Sequence, residues 1–225
     1  MAMRAVELAC SRGIPASTAV QAAQFDVTIV SAGEASNDAG TTIGLFREGL
    51  SARDLRTAQF DYVAAGGNKA RRIGSELDRF ACVASRLHCL DDRLFDGEGA
   101  AEFARSYVAT ARRAGRMAGL VCTNLPTVFF RRQEVIDAFG GHFDFVIGEP
   151  AEVLSLFGLK RIDTLVPAMA YRNIGLVLHR RDYPSIFLKP GGGNTEIGDT
   201  PISRETFWSE FAPSAFMNFL NPTQA

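Results

Sequence analysis

Two carboxylates, Glu149 and Glu152, stand three residues apart around Pro150 in DFVIGEPAEVLSLFG (144–158), directly after an apolar run. One reading is helix construction. Pro150 suits a first helical turn, acidic side chains suit the positive end of the helix dipole, and Gly158 can end the helix in a left-handed conformation. The other reading is a site, because ligands of open α/β sheets collect where a strand turns into a helix.

Further candidates are sparse. Cys122 ends an apolar run, but no histidine or cation is placed by sequence to activate it, so it reads as a buried structural thiol. His88, His142 and His179 are scattered without metal-type spacing and read as surface or boundary residues. GxSxG and GxxxxGK[ST] are absent, which removes the common hydrolase and P-loop signatures. AGGN (65–68) and PGGGN (190–194) either wrap an anion with backbone N–H groups or form tight turns that need positive φ.

The elements that must position these residues follow from pattern. FDVTIVS (25–31) alternates as a strand does, and TTIGLF (41–46) is expected to pair back on it as a hairpin-like second strand. Ser51 with Asp54 resembles a helix-starting capping box, and FDYVAAGGN (60–68) reads as a strand entering a glycine turn. Residues 69–96 are ambiguous. An amphipathic helix is expected over 99–115, stopped by Gly115, and then a buried strand over 117–126 that ends in polar Thr123 and Asn124. RRQEVIDAFGG continues as helix, FDFVI as strand, NIGLVLHR (173–180) and SIFLK (185–189) as strands, and PGGGN as a hairpin-like turn. The tail 203–220 is helical in period and expected to break near Pro213. Strands over 117–122, 143–147 and 174–179 should be parallel neighbours, joined by crossover helices.

The chain has 225 residues, 47% hydrophobic, enough for one sizeable core. One α/β domain over 1–225 is expected, with a helical extension over 1–24 and an apolar tail over 203–225. A net charge of −1 excludes a general pull toward nucleic acid or an anionic membrane. The small basic clusters, such as Arg112, Arg113 and Arg116, read as solvated helix ends. Four cysteines without a CxxC pair fit a reducing cytoplasm. The opening MAMRAVELACSRG carries charges and makes a poor signal peptide, and no stretch has ~18 uncharged apolar residues for a membrane span.

Residues 25–202 resemble, by order of elements, the ribokinase-like (PfkB) carbohydrate kinases, nearest the adenosine-kinase-like sugar kinases. The resemblance rests on ATARRAG, VCTN, the strand into GEPAE, and IGLVLHRRDYPSIFLKPGGGNTEIG. It implies a mostly parallel sheet flanked by helices, truncated, with some antiparallel hairpin strands. The family's Asn-Glu-x-Glu turn, which organises Mg²⁺ and water around phosphates, corresponds to Glu149-Pro150-Ala151-Glu152, so Glu149 and Glu152 become the implied metal and phosphate residues. Asn124 falls on the rim of the implied nucleotide cleft. The family's D-T-x-G-A-G-D is set against SEFAPSAFMNFL, placing Ser214 on the catalytic base, Ala212 on the central alanine, and Phe211 and Pro213 on the flanking glycines.

The implied activity is transfer of phosphate from ATP, with Mg²⁺, to a hydroxyl of a sugar or nucleoside. The alternative is a non-catalytic kinase-like domain that binds a nucleotide, a sugar or a protein partner. Phe207, Trp208, Phe211, Phe216 and Phe219 then either fill this chain's own core or face a second copy in a homodimer.

Overall fold

The computed structural model describes residues 25–31, 41–61, 85–191, 195–197 and 199–220. The expected N-terminal helix, the AGGN turn, and Cys10 and Cys82 lie outside the described residues. In chain order the elements begin with β1 (Phe25–Ser31), α1 (Thr42–Ser51), β2 (Thr57–Asp61) and β3 (Ser85–Asp91), followed by a 3₁₀ turn at Asp92–Asp96. Next come α2 (Ala100–Arg113), β4 (Met117–Val121), α3 (Leu125–Phe130), α4 (Arg132–Ala138), β5 (Phe145–Gly148) and α5 (Pro150–Phe157). After α6 (Leu165–Tyr171) follow β6 (Gly175–Leu178), β7 (Ile186–Leu188) and β8 (Thr195–Ile197). The described chain closes with α7 (Arg204–Thr206), a π-helical stretch Phe207–Phe211 and α8 (Ala212–Leu220).

The eight strands form one sheet in the order β2-β1-β3-β4-β5-β6-β7-β8. Pairs from β2 through β6 are parallel, while β7 runs antiparallel to both β6 and β8. The three expected neighbours are thus parallel, in register Leu120↔Val146 and Val146↔Leu176. The fold is α/β with a mostly parallel sheet, helices on both faces and an antiparallel edge.

Strand residues alternate between two cores, as the two-residue pleat requires. Leu120, Val146 and Leu176 face a core shared with Phe103, Tyr107, Val135, Leu156 and Leu165 from α2 and α4–α6. Val121, Phe145, Ile147 and Val177 face the opposite core, built with Ile43, Phe46 and Leu50 of α1 and the closing helix. The chain leaves β1 in one direction to reach β2, then returns to β1's other side with β3. Crossovers of one hand in opposite directions put α1 and α2 on opposite faces, as observed.

Two expectations change, one ambiguous stretch is resolved and one open choice is decided. Residues 41–46 form the start of α1, not a hairpin strand, and β1 pairs in parallel with β2. Thr41 Oγ1 caps the helix by accepting from the Gly44 N–H at 3.1 Å, and the 43/46/50 spacing buries one helical face. That spacing outweighs the β-branched start. Ser51 consequently ends a helix and does not begin one.

Second, SRLHCLD (85–91), part of the ambiguous stretch, is an interior strand between β1 and β4. Third, helix continues through Pro213. Proline removes the N–H that would bond the carbonyl four residues back. The Ser209 carbonyl accepts instead from Arg53 at 3.3 Å, with the preceding five-residue π turn absorbing the misfit.

The open choice concerns the tail aromatics. Phe207, Trp208, Phe216 and Phe219 are buried in this chain's own core and present no face to a second copy. Gly49 allows their approach, since a Cβ there would lie 2.1 Å from the Ser209 carbonyl oxygen. No helix among the described residues is long and apolar enough to cross a membrane.

Candidate functional site

Parallel strands bring the ends of β1 and β3–β6 to one rim of the sheet, and the antiparallel β7 and β8 return the chain to it before α7. Asp91 ends β3 and Asp92 follows it, Thr123 and Asn124 follow β4, Glu149 and Glu152 follow β5, and His179 follows β6. Sequence reasoning did not single out the two aspartates, both fully buried. Asp91 is paired with Arg93 at 2.9 Å. Asp92 accepts from the Thr123 N–H at 3.0 Å, the Asn124 N–H at 2.9 Å and the Thr123 hydroxyl at 3.0 Å. Asn124 is thereby fixed on the rim, before α3. Burial and the neighbouring Asp91 push the Asp92 carboxyl well above the usual range, against the pull of the Asn124 N–H. The pair ties β3 to β4.

Cys122 is buried, and burial followed by the Asp92 and Glu152 charges pushes its thiol up, so it is an inert core thiol. His88 and His179 prove to be core residues. His88 Nδ1 sits 2.8 Å from the Tyr107 hydroxyl. His179, 3% exposed, places Nε2 3.1 Å from the Ile202 carbonyl oxygen, which can only accept, so that nitrogen carries the proton. His179 Nδ1 has no hydrogen-bond partner among the described residues and lies 3.8 Å from Glu149 Oε1.

Glu149 and Glu152 play different parts. Glu149 occupies the position before α5, its side chain capping nothing, and takes an ion pair from Arg204 Nε at 2.8 Å. The facing His179 ring, then the Arg204 guanidinium, hold its carboxyl below the usual range despite partial burial. Glu152 sits in the first turn of α5 with Oε2 buried and unpartnered, and burial raises its carboxyl.

A raised folded value favours the protonated acid in the native state. Stability is therefore greatest below the unfolded carboxyl value of about 4.3 and is lost as pH rises toward the folded one. Glu152→Gln should remove that loss. The difference in melting temperature between variant and parent should grow from pH 4 to 7 in the variant's favour, and a lower melting point for the variant at pH 7 would mean that the carboxylate stabilises α5 after all.

Two cavities meet on this rim. One, of about 310 Å³, is lined by Glu149, His179, Arg181, Ile202, Ser203 and Arg204. The other, of about 340 Å³, is lined by Thr42, Leu45, Arg204, Glu205 and Trp208. Arg204 borders both, holding Glu149 by Nε and reaching Thr42 Oγ1 at 3.3 Å by its terminal nitrogen.

Ser214 and Ala212 line neither cavity. Ala212 is fully buried in α8. The Ser214 hydroxyl donates to the Glu210 carbonyl at 2.7 Å and accepts from Arg53 Nε at 3.0 Å. Arg53 follows the far end of α1, roughly 15 Å along that helix from Thr42. The structure thus gathers Asn124, Glu149 and Glu152 on the rim and keeps Ser214 and Ala212 with the helix packing. The overlooked signal is Asp199-Thr200 followed by Glu205, which repeats the D-T-x-x-x-x-acid spacing directly after β8. In that register Ile202, Ser203 and Arg204 stand opposite the motif's Gly-Ala-Gly and Glu205 opposite its last acidic residue.

The same groups test the Mg²⁺ that the resemblance implies. Mg²⁺ needs ionised oxygen ligands free to coordinate. Glu149 is already neutralised by Arg204, the Glu152 carboxylate is partly buried, and two arginines border the cavity. Among the described residues no group of three or more His, Cys, Asp or Glu could hold a metal ion. These residues do not fit a resident Mg²⁺.

No family model and no curated protein matches the sequence. Solved structures do. Adenosine kinase from Sinorhizobium meliloti superposes with a TM-score of 0.61 at 11% identity, covering 90% of this chain and 89% of that one. A PfkB protein from Polaromonas sp. JS666 gives 0.58 at 13% identity, covering 88% and 90%. An E. coli protein described as a ribokinase II, in complex with ATP and Mg²⁺, gives 0.58 at 7% identity, covering 87% of each. The chain has the ribokinase-like fold.

Proposed function

We propose that this ribokinase-like chain transfers the terminal phosphate of ATP to a hydroxyl of a sugar or nucleoside. The observation that carries the reading is the junction of the two cavities at Arg204, with Glu205 beside it in the second cavity. A phosphoryl donor and its acceptor must meet in line across one point, with a cation beside the phosphate and a base beside the hydroxyl. The cavity with Glu149, His179, Arg181 and Arg204 suits the phosphates, and the cavity with Thr42, Glu205 and Trp208 suits the acceptor. Glu205 accepts the acceptor's proton as its oxygen bonds to phosphorus, and the bond from phosphorus to the ADP oxygen breaks.

Supporting this division, Glu149 and His179 stand at the carboxyl ends of β5 and β6, the side on which open α/β sheets bind ligands. Buried, unpaired Cys89 and Cys122 agree with a reducing cytoplasm. The test is ADP release from ATP over a panel of sugars and nucleosides. Release that depends on one acceptor class supports the transfer. ATP binding without release under any acceptor selects the second reading, a non-catalytic nucleotide-binding domain. Ile202 on the first glycine position favours that reading, since a side chain there hinders close backbone approach to phosphate.

A further inference from the structure

We infer that the cavity beneath Arg204 takes the phosphate chain of its nucleotide as a free anion, with Arg204 and Arg181 carrying the charge that a divalent cation supplies elsewhere. The inference rests on the nucleotide reading above and starts from the misfit between the cavity and Mg²⁺.

Three features carry it. The charges lining the cavity are one carboxylate, Glu149, against two guanidinium groups, Arg181 and Arg204, a balance that attracts a polyanion and repels a divalent cation. The one carboxylate is not available either, because Arg204 Nε holds it at 2.8 Å. Finally, His179 lines the same cavity almost fully buried, its Nδ1 without a hydrogen-bond partner among the described residues and 3.8 Å from Glu149 Oε1. A bound water can donate one proton to that nitrogen and the other to a phosphate oxygen, so the two acceptors are bridged.

Arg204 is held in position for the exchange. It is more than half exposed, tethered at one side to Glu149 and at the other to Thr42 Oγ1. Its five donors and planar fork match phosphate oxygens in pairs, so part of the fork can turn to phosphate while Nε keeps Glu149. Glu149 then serves as the anchor that orients the arginine, and a small ordered cation is replaced by a covalently attached one.

Calorimetric titration of the full chain with ATP, in EDTA and then in excess Mg²⁺, tests this directly. The expected result is that ATP binds in EDTA at least as tightly as in Mg²⁺. Arg204→Gln should weaken binding in EDTA by about ten- to a hundredfold, the range for one lost charge-assisted contact. Arg181→Gln should act in the same direction, and it provides the reading if Arg204→Gln fails to fold. ATP binding that appears only with Mg²⁺ would overturn the metal-free inference and leave the nucleotide reading standing. No ATP binding in either buffer would overturn both. Unchanged affinity in EDTA for both folded variants would show that the arginines do not hold the phosphates.

Discussion

Glu205→Gln is expected to lower phosphoryl transfer by about 10²–10⁴-fold, the usual contribution of a positioned general base. Glutamine keeps the shape and a carbonyl acceptor but cannot take up the acceptor's proton. Glu205 is exposed in α7 and borders the cavity of Thr42, Leu45 and Trp208, so no core contact is lost. The unfolding free energy should change by less than about 0.5 kcal/mol, as is typical of surface substitutions. ATP affinity should also be unchanged, because the carboxylate lines only the acceptor cavity. The informative control is Ser214→Ala. Its hydroxyl bonds Glu210 and Arg53, so this change should leave turnover intact. A collapse of turnover in Ser214→Ala, with Glu205→Gln active, would return the base to the α8 position that the sequence alone suggests.

Trp208→Ala should have the largest effect on stability, about 3–5 kcal/mol, as for deletion of other buried aromatic side chains. Trp208 is the largest fully buried side chain, 1% exposed, and meets Phe46 and Phe207 edge to face at centroid distances of 6.1 and 5.0 Å. Thermal denaturation should register a fall of roughly 6–20 °C for a chain of this length. Its indole N–H has no partner among the described residues, so Trp208→Phe gives up little polar bonding and should cost less than about 1.5 kcal/mol. Equal losses for alanine and phenylalanine would place the stabilisation in the indole nitrogen and not in ring packing.

Local pattern alone determined the second half of this sheet. From 99 to 189 the apolar runs are short, bounded by Gly115, Gly158 and polar strand ends, and alternate with helical periods, so α2, β4, β5, α5, β6 and β7 could be read directly. The same local logic placed Asn124, Glu149 and Glu152 at strand ends, because in a parallel sheet the residue after a strand always reaches the same rim.

What it could not determine were features decided by distant neighbours. Residues 41–46 have strand-like composition, and the sheet beneath Ile43, Phe46 and Leu50 adds to the Thr41 cap in selecting the helix. Pro213 forbids a local helical bond, and only Arg53, 160 positions earlier, receives the freed carbonyl and lets the helix run on. The chemistry follows the same division. The carboxylate pair at 149 and 152 is visible in sequence, yet Arg204 and His179, brought by β6 and by the return from β8, convert Glu149 from an open ligand into an anchored one. Charge at a site is a sum over everything within a few ångströms, and the chain brings those groups together only by folding.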